Sequence, residues 1–103
     1  MITGISGQDG AYLSRLLLEK GYEVYGLLAR RATATTWRLE ELGVLESVRL
    51  LEGDLTDFSS LISALKESRA DEVYNLAAQS FVGTSWRQPL LTGQVTGLGA
   101  VNL

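Results

Sequence analysis

Three glycines, Gly4, Gly7 and Gly10, stand at G-x-x-G-x-x-G spacing directly after Met1-Ile2-Thr3. Glycine lets a backbone turn tightly and approach a ligand closely, and the first turn of a helix offers unpaired N–H groups and a positive dipole end. Such a turn receives a phosphate or pyrophosphate, with Gln8 and Asp9 inside it. The spacing alone is weakly specific in a chain with 11 glycines, and its force comes from the strand–turn–helix setting. Arg30 and Arg31 follow 20 and 21 residues beyond Gly10, at the end of a second β run. In a doubly wound sheet that position meets the adenosine ribose, where an acid accepts the 2′-hydroxyl of NAD and arginine accommodates the 2′-phosphate of NADP. No Asp or Glu lies between Leu27 and Arg38, so NADP is the expected cofactor.

Two further segments end on the same side of such a sheet. Asp54 and Leu55 follow a third β run, where a carboxylate suits the adenine amino group and a leucine suits the ring. Leu76, Ala77, Ala78 and Ser80 leave a fourth run, and small residues there let a dinucleotide lie close to the backbone. A catalytic set is missing. The chain has no histidine and no cysteine, and none of Tyr12, Tyr22, Tyr25 and Tyr74 has a lysine four residues on. Imidazole general-base chemistry, thiolate chemistry, disulfides and ordinary zinc sites are therefore excluded for these residues. Ser80 and Ser85 have no evident base.

The elements that must position these residues alternate. Residues 1–3 read as a strand end, 11–20 as a helix with Leu13, Leu16, Leu17 and Leu18 on its apolar side, and Gly21 as its stop. Residues 23–29 read as a strand, 30–38 as a loop, 37–45 as a helix and 48–51 as a strand. Asp57 is placed to cap a helix over 58–68, with Leu61, Ile62 and Leu65 inward. Residues 72–78 read as a buried strand, 79–88 as a loop, and Pro89 opens a helix that Gly93, Gly97 and Gly99 weaken. The alternation predicts an α/β fold: a partial NAD(P)-binding Rossmann unit, a parallel sheet with flanking helices in the order 3-2-1-4.

A formal charge of −3 and two lysines against seven arginines speak against a nucleic-acid or membrane-surface partner. No run reaches the roughly 18 apolar residues of a membrane span, and no leader is visible, so a cytoplasmic protein is expected. Few residues precede the glycine turn and the last helix runs to Leu103. The 103 residues are therefore expected to be a portion of an NADP-binding domain, a fragment of a larger fold or a chain completed by a partner, with a small self-contained domain as the alternative.

The segment Thr3-Gly4-Ile5-Ser6-Gly7-Gln8-Asp9-Gly10-Ala11-Tyr12-Leu13 resembles the opening of the GDP-mannose 4,6-dehydratases, extended short-chain dehydrogenase/reductase enzymes. The resemblance continues through residues 18–24, Arg30-Arg31, residues 53–57 and 72–82, and Trp86, Gln88 and Pro89. It implies a lyase of nucleotide-sugar metabolism that converts GDP-mannose to GDP-4-keto-6-deoxymannose and water, with the hydride relayed through bound NADP. It implies NADP contacts at Gly4, Gly7, Gln8, Asp9, Gly10, Arg30, Arg31, Asp54, Leu55, Leu76, Ala77, Ala78 and Ser80, and sugar-nucleotide contacts at Val82 and Ser85. It also implies a homotetramer that the loop after Arg31 helps to build, so that the Arg30–Arg38 stretch serves both cofactor and assembly. The chain departs from the family where Leu91 replaces a frequent tyrosine, and the resemblance makes residues 1–103 the N-terminal portion of the NADP-binding Rossmann domain, with the family's catalytic Ser/Thr, Glu, Tyr and Lys and its sugar-nucleotide-binding part expected beyond Leu103. A related nucleotide-sugar reductase or epimerase, and a non-catalytic NADP-binding remnant, stand as rival expectations.

Overall fold

The computed structural model describes residues 1–29 and 36–77. Arg30, Arg31, Ala78, Ser80, Val82, Ser85 and the helix expected from Pro89 lie outside the described residues. Four strands, β1 (Ile2–Thr3), β2 (Tyr25–Leu28), β3 (Arg49–Glu52) and β4 (Tyr74–Asn75), form one sheet in the order β3-β2-β1-β4. All pairings are parallel, with Ile2 opposite Gly26 and Tyr74, and Leu27 opposite Leu51. This is the 3-2-1-4 order that the alternation predicts.

Successive residues on a strand point to opposite faces, and both faces of this sheet are covered. Ile2 and Leu28 join Ile5, Ala11, Leu17, Val24, Leu39, Val44 and Val48 on one side. Met1 and Leu27 join Leu51, Leu55, Leu61 and Ala64 on the other. Helices α1 (Gln8–Glu19) and α2 (Trp37–Glu41) serve the first cluster, and α3 (Phe58–Ser68) serves the second.

Helix α1 starts three residues earlier than the leucine pattern indicates, at Gln8 inside the glycine turn. It ends as expected: Gly21 takes φ +86° and donates to Leu18 O at 3.0 Å, while Tyr22 N–H reaches Leu17 O at 3.0 Å. That is a Schellman stop. The same device shortens α2, expected to run to residue 45. Gly43 takes φ +71°, its N–H bonds Glu40 O, Val44 N–H bonds Leu39 O, and Val44 and Leu39 pack together. A 3₁₀ turn, Leu45–Ser47, follows.

Two helix faces differ from expectation. Leu16 is 47% exposed, and the inward stripe of α1 is Gly10, Ala11, Ser14 and Leu17, because small residues let the helix lie close on the sheet. In α3 the inward residues are Leu61, Ala64 and the partly buried Leu65, whereas Ile62 is exposed. Asp57 caps α3 as expected, accepting Ser59 N–H at 3.1 Å. The fourth strand is shorter and less buried than its apolar composition suggests, with Val73 and Leu76 exposed. Among the described residues it pairs only with β1.

Candidate functional site

In a parallel sheet the carboxyl ends of all strands share one edge, and here that edge collects the glycine turn after β1, Ala29 after β2, Asp54 after β3 and Leu76-Ala77 after β4. Gly4 sits in the left-handed region at φ +69°, and a Cβ there would come within 2.7–2.8 Å of the Leu76 and Ala77 backbone. Gly10 carries the first turn of α1 onto the loop, where a Cβ would stand 2.3 Å from Gly4 O. Both positions are held by packing against backbone, which cannot yield. Gly7 is different. Its φ is −76°, and a Cβ would meet only Gly4 O at 3.3 Å.

Gly7 is also the N-cap of α1, so no side chain caps the helix. Its own N–H closes the turn onto Gly4 O at 3.1 Å, and its carbonyl accepts Ala11 N–H at 3.0 Å. The N–H groups of Gln8, Asp9 and Gly10 find no partner among the described residues. Three such donors at the positive end of a 12-residue helix suit an anionic oxygen. Gln8 and Asp9 are exposed at this end.

Thr3 joins the turn to the exit of β4. Its side chain, 1% exposed, donates to Asn75 Oδ1 at 2.6 Å and accepts Ala77 N–H at 3.3 Å, while Leu76 N–H bonds Thr3 O at 3.2 Å. These bonds hold Leu76 and Ala77 against Gly4. Asp54 is exposed, and its Oδ1 accepts Thr56 N–H and Oγ1–H at 2.8 and 2.7 Å. Its backbone N–H bonds Ser60 Oγ at 3.0 Å, so the first turn of α3 fixes the loop. Leu55 lies in the core beside Met1 and Leu51, and its side chain is 4% exposed. The turn, Asp54 and Leu76-Ala77 thus share one edge, whereas Leu55 faces inward.

Thr3 and Asn75 carry no signal as site residues in the sequence, and Arg38 is marked there only as the end of the 30–38 loop. Thr3 and Asn75 form a bonded pair 72 positions apart, with no local signal. Arg38 reaches the glycine turn from α2, donating from Nη1 to Ser6 O at 3.2 Å, and stacks 4.4 Å from the Trp37 ring centroid. The adjacent Trp37-Arg38 pair closing a threonine-rich stretch was its available signal. A cleft of about 310 Å³ lies between α1 and α2, with Gln8, Tyr12 and Arg38 in its walls. Among the described residues there is no cluster of three metal-ligating side chains, and no helix is long and apolar enough to cross a membrane. Tyr74 is held above the usual phenol range by its hydrogen bond to Glu72 at 2.7 Å, which disfavours the phenolate.

The sequence matches a family model described as GDP-mannose 4,6 dehydratase over residues 1–103. It is 47% identical to GDP-mannose 4,6 dehydratase 1 of Arabidopsis thaliana, over 100% of this chain and 30% of that protein. It is also 47% identical to the GDP-mannose 4,6-dehydratase of Vibrio cholerae serotype O1, over 100% of this chain and 29% of that protein. Among solved structures, the NAD complex of Thermus thermophilus UDP-glucose 4-epimerase superposes with a TM-score of 0.82 at 32% identity, over 99% of this chain and 31% of that one. The chain thus spans about 30% of the length of the relatives it matches. The glycine turn on a 3-2-1-4 parallel sheet and the match over every residue converge: this chain belongs to the GDP-mannose 4,6-dehydratase family.

Proposed function

We propose that these residues are the NADP-binding portion of a GDP-mannose 4,6-dehydratase, a lyase that forms GDP-4-keto-6-deoxymannose and water. Support comes from Gly7. The fold itself requires Gly4 and Gly10, but a Cβ at Gly7 would be relieved by a shift of a few tenths of an ångström. A glycine there, at a helix end with no side-chain cap and three N–H groups without a partner among the described residues, fits the close approach of a pyrophosphate. When bound, NADP supplies a hydride acceptor that later returns the hydride. The residues of this chain bind and orient it: the N–H groups of Gln8, Asp9 and Gly10 at the pyrophosphate, Arg30 and Arg31 at the 2′-phosphate, Asp54 toward the adenine, and Leu76, Ala77, Ala78 and Ser80 along the carboxyl edge. Leu55 contributes by closing the core under that loop. Val82 and Ser85 extend toward the sugar nucleotide.

The full-length protein is expected to turn GDP-mannose into the 4-keto-6-deoxy product without net consumption of NADPH, and to run as a tetramer in light scattering. Stoichiometric NADPH oxidation would identify a reductase. A C4-epimerised product would favour the epimerase reading, to which the superposition on a UDP-glucose 4-epimerase gives some weight. No turnover with bound NADP would leave the remnant reading.

A further inference from the structure

We infer that Gly26 is a positioning residue for the pyrophosphate turn, because it leaves the space in which Ile5 seats that turn; the inference rests on the NADP reading above. Gly26 lies inside β2, opposite Ile2 of β1, and is buried. Glycine weakens the interior of a strand, and one found there often marks a close approach by another part of the chain. Its φ is not positive, so the backbone does not require glycine at this position. The contact with Ile5 does. A Cβ at Gly26 would stand 2.3 Å from Ile5 Cδ1, 2.7 Å from its Cγ2 and 3.1 Å from its Cβ. Cδ1 ends the side chain and can swing away. Cγ2 and Cβ move only with χ1 or with the backbone, and the χ1 of a β-branched residue is stiff. Ile5 is fully buried, so no solvent-side space receives it.

The backbone of Ile5 is blocked on its other side as well. Its Cα and C atoms lie 2.6 and 2.9 Å from where a Cβ at Gly10 would stand. Ile5 is thus held between β2 and the first turn of α1, with a glycine on each side. It belongs to the turn itself, between Gly4 and Gly7, which the bond from Gly7 N–H to Gly4 O closes at 3.1 Å. A methyl group at position 26 pushes Ile5, and Ile5 carries that closure with it. The helix end directly beyond Gly7 then loses its aim at a pyrophosphate, since a binding geometry is kept by the residues that support it. Gly26 acts only through Ile5.

Calorimetric titration of the full-length protein with NADPH, NADH and adenosine 2′-monophosphate tests this without turnover. The first two share the pyrophosphate, and the third has none. Gly26→Ala is expected to weaken NADPH and NADH by the same factor, about 10- to 100-fold, the effect of losing one charge-assisted N–H bond. Adenosine 2′-monophosphate is expected to bind as it does to the parent, which also shows that the variant folds. Dinucleotide affinities equal to the parent's would overturn the inference. So would an equal loss for all three ligands, which marks general damage to the fold. Ile5→Ala vacates the same space and covers a Gly26→Ala variant that does not fold. Added to Ile5→Ala, the change at Gly26 is expected to cost little dinucleotide affinity, since only the Cβ contact at 3.1 Å remains. A loss of about tenfold or more in that background would overturn the inference. Failure of the underlying NADP reading looks different: the unsubstituted protein would then bind neither dinucleotide more tightly than adenosine 2′-monophosphate.

Discussion

At the scale of single residues, the three glycines of the turn do different work. Gly10 meets backbone at 2.3 Å and Gly4 combines φ +69° with backbone at 2.7 Å, so a side chain at either breaks the fold before it affects a ligand. Gly7 separates the two effects. Gly7→Ala is expected to change stability by less than about 1 kcal/mol, since its φ is ordinary and its new contact is a mild one. NADPH affinity is expected to fall by about tenfold or more, because the added methyl displaces a phosphate held by short N–H bonds. Urea unfolding beside a cofactor titration checks both, and a variant binding like the parent would remove Gly7 from the site. The spacing of the glycines was legible in the sequence. Which of them serves the fold was not, because Gly4 depends on Leu76 and Ala77, more than seventy residues away, and Gly10 on how the turn folds back onto Gly4 O and Ile5.

Between elements, Thr3 is the tie that closes β4 against β1. Its hydroxyl serves Asn75 and Ala77 at once, and it is buried. Thr3→Val keeps the shape and strands both partners, and is expected to cost about 1–3 kcal/mol and to weaken NADPH binding as Leu76-Ala77 drifts from the turn. Thr3→Ser is expected to restore most of both, and a Val variant as stable as the parent in thermal unfolding would show the bonds to be idle. Helix ends, by contrast, were readable locally: Gly21 and Asp57 terminate and cap where composition indicated. Gly43 carried the same signal, yet its helix was expected to continue to residue 45. A single left-handed residue ended it, and the Leu39–Val44 contact sealed the stop.

At the scale of the whole molecule, the core couples stability to the site. Leu39 is fully buried although α2 has only five residues, and it neighbours Arg38. A helix this short is not stable alone, so this side chain is what holds Arg38 at the turn. Leu39→Ala is expected to cost about 2–5 kcal/mol and to lower NADPH affinity as well. Chemical unfolding and cofactor titration are the checks, and loss of stability with NADPH binding intact would detach α2 from the site. The exposed Val73 and Leu76 of β4 show the same coupling in reverse: an apolar run is buried only as far as neighbours cover it.

The sequence by itself determined the alternation of strands and helices, the parallel order, the glycine turn, the capped start of α3 and the left-handed stop of α1. Each follows from backbone preference or from side-chain periodicity over a few residues. Only the tertiary structure decided that Leu16 and Ile62 face out, that Leu55 faces in, that Thr3 meets Asn75, and that Arg38 reaches Ser6. Those contacts join residues 32 and 72 positions apart. Their partners are chosen by which strands lie side by side and how closely the helices pack on them, and a local pattern carries no record of that choice.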